Sequence, residues 1–311
     1  MNGLIANESM KIYSRKLTWI LLLLLVAITI GASVIGKINA KPSDDWRAET
    51  TQLVHRYEER LKITELSPEL RADAENKLKI AEYHLANNIP SPHNNPWSAL
   101  LTFSGLVEMV MIFAIVVAAD MVAGEYTAGT MKLLLIRPHS RTKILFSKYI
   151  AISLFAVVML ALLVLCGYAT NALFYGVGDI HATDLFLNQQ GQIVRQNVPM
   201  QVIRMYGLSI IPVMGYVTLA FAISTVLRNS ALAVGISLVI MIVGNSMIEA
   251  TAKIAWLKYL PFANSDISLY IFHLPARPEM TLGFSLSVVL AYIVALALIS
   301  WSVFKKRDVS L

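Results

Sequence analysis

Solid blocks of apolar residues alternate along this chain with short clusters of charge. Lys16 and Lys37 bracket 20 uncharged residues, and Glu108 is the only charge between positions 96 and 119. Uncharged runs of 30, 23, 20 and 25 residues separate Lys148 from Asp179, Arg204 from Arg228, Arg228 from Glu249, and Glu279 from Lys305. About 20 apolar residues suffice for a helix to cross the hydrocarbon core. The pattern therefore predicts six transmembrane helices near 17–36, 98–119, 144–172, 205–227, 230–248 and 281–303. A transmembrane β-barrel would alternate apolar and polar positions over about 10 residues instead. The expected fold is an all-α polytopic membrane protein. The first block is longer than the apolar core of about 7–15 residues found in a secretory signal, so it reads as a span.

Between the blocks the polar segments have periods of their own. Over 37–97, Trp46, Leu53, Tyr57 and Leu61 recur at helical spacing, and so do Leu70, Ala74, Leu78, Ala81 and Leu85. Ser43 and Ser67 stand where N-caps belong, and Pro68 suits a first helical position. This predicts an extracellular helical hairpin between the first and second spans, turning near 66–68. Residues 184–187 and 192–195 flank Asn188-Gln189-Gln190-Gly191, a short β-hairpin pattern. Around Ile254, Trp256, Leu257 and Tyr259 a short amphipathic helix is expected, broken by Pro261 and lying at the membrane surface. The chain thus divides into an elbow helix and first span (1–36), the outer helical loop (37–97), and a five-span remainder (98–311) containing a cytoplasmic segment, 120–143.

Composition agrees with this picture. Of 311 residues, 56% are hydrophobic and 15% charged, against about 25% charged in soluble domains. Mean hydropathy is +0.61. A disordered chain is excluded, and a soluble enzyme is disfavoured. The net charge of +6 is unevenly placed. The side bearing both termini carries 12 basic and four acidic residues, the opposite side 14 and 15. The positive-inside rule then puts both termini in the cytoplasm and the protein in the plasma membrane. Because the basic residues serve topology, no nucleic-acid partner is expected.

Most candidate chemistry fails on inspection. Gly31 to Lys37 imitates a phosphate-binding loop, but Ile38 stands where a magnesium-binding hydroxyl is needed, at the end of a membrane helix. No ATP site is expected in this chain. Neither G-x-S-x-G nor H-E-x-x-H occurs, so serine and zinc hydrolases lack a signature. His84 and His93 have no carboxylate support for a metal, and the lone Cys166 excludes an intramolecular disulfide. Glu108 is different. An acidic residue within a span costs roughly 2.5–3.5 kcal/mol on insertion scales, so it must face the bundle, a partner subunit or water. Two readings stay open: part of a substrate or proton pathway, or a protonated carboxyl bonded to a neighbouring helix. Pro212 permits a kink in the fourth span.

The segment 120–143 carries the decisive pattern. Gly124 and Gly129 allow tight turns. Thr130 can cap a short helix ending at Arg137, Pro138 stops it, and Ser140 can cap the next span. Leu133 to Ile136 form an apolar patch flanked by basic residues. On physical grounds a surface-lying connector and a docking site for a cytoplasmic partner are equally good readings. The spacing Glu125, Gly129-Thr130, Leu134-Leu135, Pro138, Ser140-Arg141 and Lys148 resembles the signature of the ABC type-2 transporter permeases, the membrane subunits of one class of ABC exporter. The basic N-terminal elbow, six spans and large first outer loop are similar too.

That resemblance implies a non-catalytic half-transporter. Two such subunits, identical or homologous, would form a pore within membrane lipid. Separate ATP-binding cassette subunits, binding ATP and Mg, would dock beneath. Glu125, Gly129, Thr130, Leu134, Leu135, Pro138, Ser140 and Arg141 would couple the two, with Glu125 and Arg141 suited to charged contacts and the leucines to an apolar groove. Glu108 is the candidate pathway residue. A stand-alone secondary transporter or channel, and a membrane sensor with an extracellular helical domain, are the alternatives.

Overall fold

The computed structural model describes residues 1–39, 46–63, 66, 68–89, 95–130, 140–187, 191–246, 251, 254–271, 277 and 279–306. The chain begins with α1 (Asn2–Ser14). Arg15 is extended, which ends α1, and α2 (Lys16–Asn39) starts at once. The buried Thr18 hydroxyl donates to the Ile12 carbonyl at 2.6 Å and fixes the elbow between them. Next come α3 (Trp46–Leu61) and α4 (Pro68–Ala86), packed on each other. Pro68 opens α4 as its position suggests. The caps expected from Ser43 and Ser67 fall outside the described residues.

The second apolar block has an internal break. α5 (Pro96–Thr102), capped by the Asn95 side chain, runs into a 3₁₀ turn (Phe103–Leu106) and then α6 (Val107–Thr127). Ser104 and Gly105 are poor helix formers at that point. α6 continues to Thr127, beyond the expected end near 119, so residues 120–127 form the last two turns of the span. α7 (Arg141–Tyr175) is 35 residues long, about 52 Å at 1.5 Å per residue. It must project well beyond a hydrocarbon core of about 30 Å.

Strands β1 (Thr183–Leu187) and β2 (Ile193–Asn197) pair antiparallel, with Leu185 opposite Arg195. This is the expected hairpin, with β1 starting one residue earlier and β2 starting one and ending two residues later than expected. α8 (Val198–Leu227) is capped by Asn197 and runs through Pro212 without interruption. α9 (Ser230–Ser246) follows. The surface segment forms 3₁₀ turns at Ala255–Tyr259 and Phe262–Asn264, in place of the expected helix, and one helical turn at Ser268–Ile271. Trp256 and Tyr259 are exposed there, as an interfacial anchor requires. α10 (Leu282–Lys306) closes the described chain.

Among the described residues, five helical stretches are long and apolar enough to cross a membrane: Lys16–Ile38, Pro96–Thr127, Arg141–Tyr175, Val198–Leu227 and Leu282–Lys306. Over the described residues α9 matches the fifth span expected from sequence, 230–248, but is shorter than these five. The core lies where α6, α7 and α8 meet, with α10 and α9 against α8 and with α2 against α7. Close approach is built in locally. A Cβ at Gly167 of α7 would stand 2.9 Å from Leu100 Cδ2, and Asn171 donates to Ser33 of α2 at 3.1 Å. Long apolar side chains such as Leu23, Ile35, Leu165, Val239 and Leu298 point outward, as lipid-facing positions do. The phosphate-loop imitation at Gly31 to Lys37 lies wholly within α2, so no strand–loop–helix forms there.

Candidate functional site

The described signature residues, Glu125, Gly129, Thr130, Ser140, Arg141 and Lys148, lie at the end of the bundle where α1, the C-terminus of α6 and the N-terminus of α7 meet. Lys148, in the second turn of α7, is completely buried. Its Nζ lies 2.7 Å from Glu8 Oε2 and 2.7 Å from Glu125 Oε1. Lys11 reaches the same two acids, at 2.8 Å and 2.7 Å. Two carboxylates and two ammonium groups thus form a neutral cluster joining three helices. A buried charge is tolerated only with such pairing. Glu125 Oε2 is buried with no hydrogen-bond donor among the described residues.

A second latch runs parallel to the first. Arg15 pairs with Asp120, whose other oxygen accepts from Ser230 Oγ at 2.6 Å. Gly124 makes this possible. It sits within α6 and supplies no turn, but a Cβ there would lie 2.5 Å from Asp120 Oδ1. The buried Ser224 hydroxyl accepts from the Ala123 amide at 2.9 Å, tying α8 to α6. Arg228, left-handed at φ 56° at the end of α8, stacks 4.6 Å from the Tyr126 ring.

The helix end itself follows from sequence. Gly129 has φ +69°. Its amide donates to the Tyr126 carbonyl at 3.1 Å, and the Thr130 amide donates to the Glu125 carbonyl at 3.0 Å. This crossed pair is a Schellman motif, which needs a left-handed residue that glycine supplies at no steric cost. Thr130 therefore closes α6; the helix it was expected to open, with Leu134, Leu135 and Pro138, lies outside the described residues. Ser140 caps α7 by accepting from the Lys143 amide at 3.4 Å. Arg141 is half-buried and directs Nη1 toward the Lys305 carbonyl at 3.5 Å.

One expectation needs correction. Glu125 was assigned a charged contact with a partner, but its side chain turns inward and is engaged by Lys11 and Lys148. Glu8, Lys11, Arg15 and Asp120 complete the junction and were not singled out in the sequence. A lone acid at Glu8 within the basic N-terminal segment was the available signal.

Burial alone would push the Glu8 carboxyl up, but Lys148 and Lys11 outweigh it and hold it below its ordinary value. Burial would push Lys11 down, yet the carboxylates of Glu125 and Glu8 leave it raised. The sign follows by linkage. The contribution of Glu8 is complete above the ordinary carboxylate range and is lost as pH falls through its lowered value. The contribution of Lys11 is complete below the ordinary lysine range and is lost as pH rises through its raised value. α1 should therefore stay docked at neutral pH and loosen at both extremes. Hydrogen exchange of α1 amides, measured relative to α2 amides in nanodiscs, should show excess opening only at those extremes. A flat ratio would contradict the electrostatic latch.

Glu108 falls in the first turn of α6, just after the 3₁₀ break. It lines a cleft of about 110 Å³ with Ser104, Ser209, Ser265 and Asp266. It faces this cleft rather than lipid alone, and Asp266 is a second acid that the sequence pattern did not reveal. His84 is buried and bonds the Ile89 carbonyl through Nδ1 at 2.8 Å, with Asp184 3.7 Å from its other nitrogen. It docks α4 on β1. His93 lies outside the described residues. Among the described residues, no group of three or more His, Cys, Asp or Glu is placed to hold a metal.

Long apolar helices closed at one end by a buried charge junction define a polytopic α-helical membrane protein. More specifically, the chain belongs to the family described as Protein of unknown function (DUF2705), whose model matches residues 74–310. It is 31% identical over 319 aligned positions, covering all of both chains, to Uncharacterized protein YhcI of Bacillus subtilis (strain 168). It is also 27% identical over 204 positions to Uncharacterized membrane protein YdbK of the same organism, covering 65% of this chain and 78% of the relative.

Proposed function

We propose that this chain is the membrane permease subunit of an ATP-driven exporter, coupled to a separate ATP-binding subunit through residues 125–141. The observation that carries the reading is the junction. Glu125 and Lys148, two signature positions on either side of residues 131–139, are bonded to each other and to α1. The helix ends that flank these residues are thereby tied to each other by buried ion pairs. Force applied there by a partner would reach α1, α6 and α7 together, as a coupling element requires. Leu134, Leu135 and Pro138 would supply the apolar contact, and Arg141 the charged one. A second permease subunit, identical or homologous, would complete the pore. ATP and Mg would be bound by the partner, and this chain would not itself be catalytic.

The topology belongs to the same proposal. α9 has 17 residues, about 26 Å of helix. That approaches the thickness of a thin bilayer, about 27 Å, so α9 serves as a sixth span. Both termini are then cytoplasmic, and α3 and α4 stand outside. A cysteine at Ser67 in a Cys166→Ser background should react with an impermeant thiol reagent on intact cells. One at Ser310 should react only after lysis. The reverse pattern would sink the six-span arrangement. A photo-crosslinking amino acid at Leu135 should capture a soluble ATP-binding protein in cells, whereas one at Tyr83 should not. Equal capture at both positions, or none at Leu135, would leave residues 125–141 a mere connector.

A further inference from the structure

Where α7 begins and α10 finishes, two outward-facing stripes each end in lysine. On α7, Leu154, Ile150, Phe146 and Lys143 step by four, four and three residues, the spacing of one helix face. On α10, Val294, Leu298, Trp301 and Lys305 step by four, three and four. Leu154, Phe146, Val294 and Leu298 are exposed, as lipid-facing side chains are. Each stripe is thus apolar along the span and cationic at its tip. The two tips are joined. Trp301 Nε1 donates to Thr142 Oγ1 at 3.2 Å, and the Lys305 ammonium lies 5.0 Å from the centre of the Trp301 ring. Arg141 directs Nη1 toward the Lys305 carbonyl at 3.5 Å. The indole therefore reaches from α10 to the residue beside Lys143.

Lys143, Lys305 and Lys306 are exposed, and among the described residues none of them forms an ion pair. The acids at this end of the bundle are engaged elsewhere: Glu8 and Glu125 by Lys11 and Lys148, and Asp120 by Arg15. Clustered cations call for an anion. Apolar stripes running from them into the hydrocarbon call for acyl chains, and an indole is at home at headgroup level. Lys143 stands one turn from Phe146, and Lys305 one turn from Trp301. The ammonium groups therefore sit at the membrane surface rather than out in water, which favours a lipid over an acidic protein. We infer that the α7–α10 junction is a binding site for an anionic phospholipid of the leaflet on the side of the chain termini, its phosphate between Lys143 and Lys305 and its chains along Phe146 and Leu298. Basic pockets between transmembrane helices bind acidic headgroups by this chemistry. The bound lipid clips the end of α10 to the start of α7. The site needs no ATP-binding partner and does not rest on the exporter reading.

The test is native mass spectrometry of the full chain released from nanodiscs holding equal amounts of phosphatidylglycerol and phosphatidylcholine. One phosphatidylglycerol should be retained per chain, at least about tenfold over phosphatidylcholine, since each lysine near an anionic headgroup supports about a fivefold change in affinity. A phosphatidylglycerol with four-carbon tails should be retained at least about tenfold less, because it loses the contact with the stripes. Lys143→Gln and Lys305→Gln should each lower retention about fivefold. Lys16 is also exposed, at the start of α2, and Lys16→Gln should leave retention unchanged. Equal retention of the two lipids by the unaltered chain would overturn the inference. So would full retention in the Lys143→Gln, Lys305→Gln double variant. An equal fall in Lys16→Gln would overturn it as well, because the attraction would then belong to the whole basic face and not to this junction. The head-group comparison uses the unaltered chain, so it stands even if a variant misfolds.

Discussion

Lys148→Met should be among the most damaging single substitutions in the protein. Lys148 is fully buried and holds Glu8 and Glu125 at 2.7 Å each. Removing it leaves two buried carboxylates to share Lys11, which is partly exposed. Breaking a buried ion pair from one side typically costs about 3–5 kcal/mol, because an uncompensated charge stays behind. The loss should appear as unfolding at lower denaturant in detergent micelles, with α1 the first element to exchange. Lys148→Met combined with Glu125→Gln should recover much of it, since replacing both members of a buried pair is often close to neutral. A Lys148→Met protein as stable as the unaltered chain would mean that water reaches the cluster and that the junction is not a rigid frame.

Arg141→Glu should leave the fold intact and break the coupling. Arg141 is half-buried at the start of α7 and outside the four-charge cluster. Substitutions at such positions usually change stability by no more than about 0.5 kcal/mol. At an interface, the wrong sign of charge can cost several kcal/mol, which corresponds to a tenfold to thousandfold drop in complex stability, roughly one decade per 1.4 kcal/mol. Retention of the ATP-binding subunit on the tagged chain should fall by that range, and ATP hydrolysis by the reconstituted complex should fall with it. Glu125→Lys is a different experiment. It places a third cation beside Lys11 and Lys148, so it should act through stability rather than through the partner. Equal stability loss in both variants would remove the distinction between an internal Glu125 and an outward Arg141.

The large features were legible in the chain because hydrophobic length is a strong signal. Among the described residues all six apolar blocks appear as helices, five of them long enough to cross a membrane, and the β-hairpin and Pro68 helix start followed local rules. What failed was local pattern read without distant partners. Gly124 looked like a turn residue, yet it makes room for Asp120 inside a continuing helix. Thr130 looked like the start of a helix, yet its amide finishes the preceding one. Glu125 looked like a surface charge because both its partners are far off in sequence: Lys11 lies 114 residues away, and Lys148 stands on a different helix. Asp266 was invisible for the same reason. It sits in an irregular segment with no period, and only the fold brings it to Glu108. Leu134, Leu135 and Pro138 gain their meaning from a partner surface, which no single chain displays.

Co-purification is the most direct measurement of whether this chain works as one half of an ATP-driven transporter. The protein, tagged at its C-terminus and expressed from its own locus, would be solubilised in mild detergent and its associated proteins quantified. The exporter reading predicts one soluble ATP-binding subunit in equal molar amount, lost in Arg141→Glu and retained in Glu108→Gln. A chain that purifies alone, or with no ATP-binding protein from the cytoplasmic face, would contradict it.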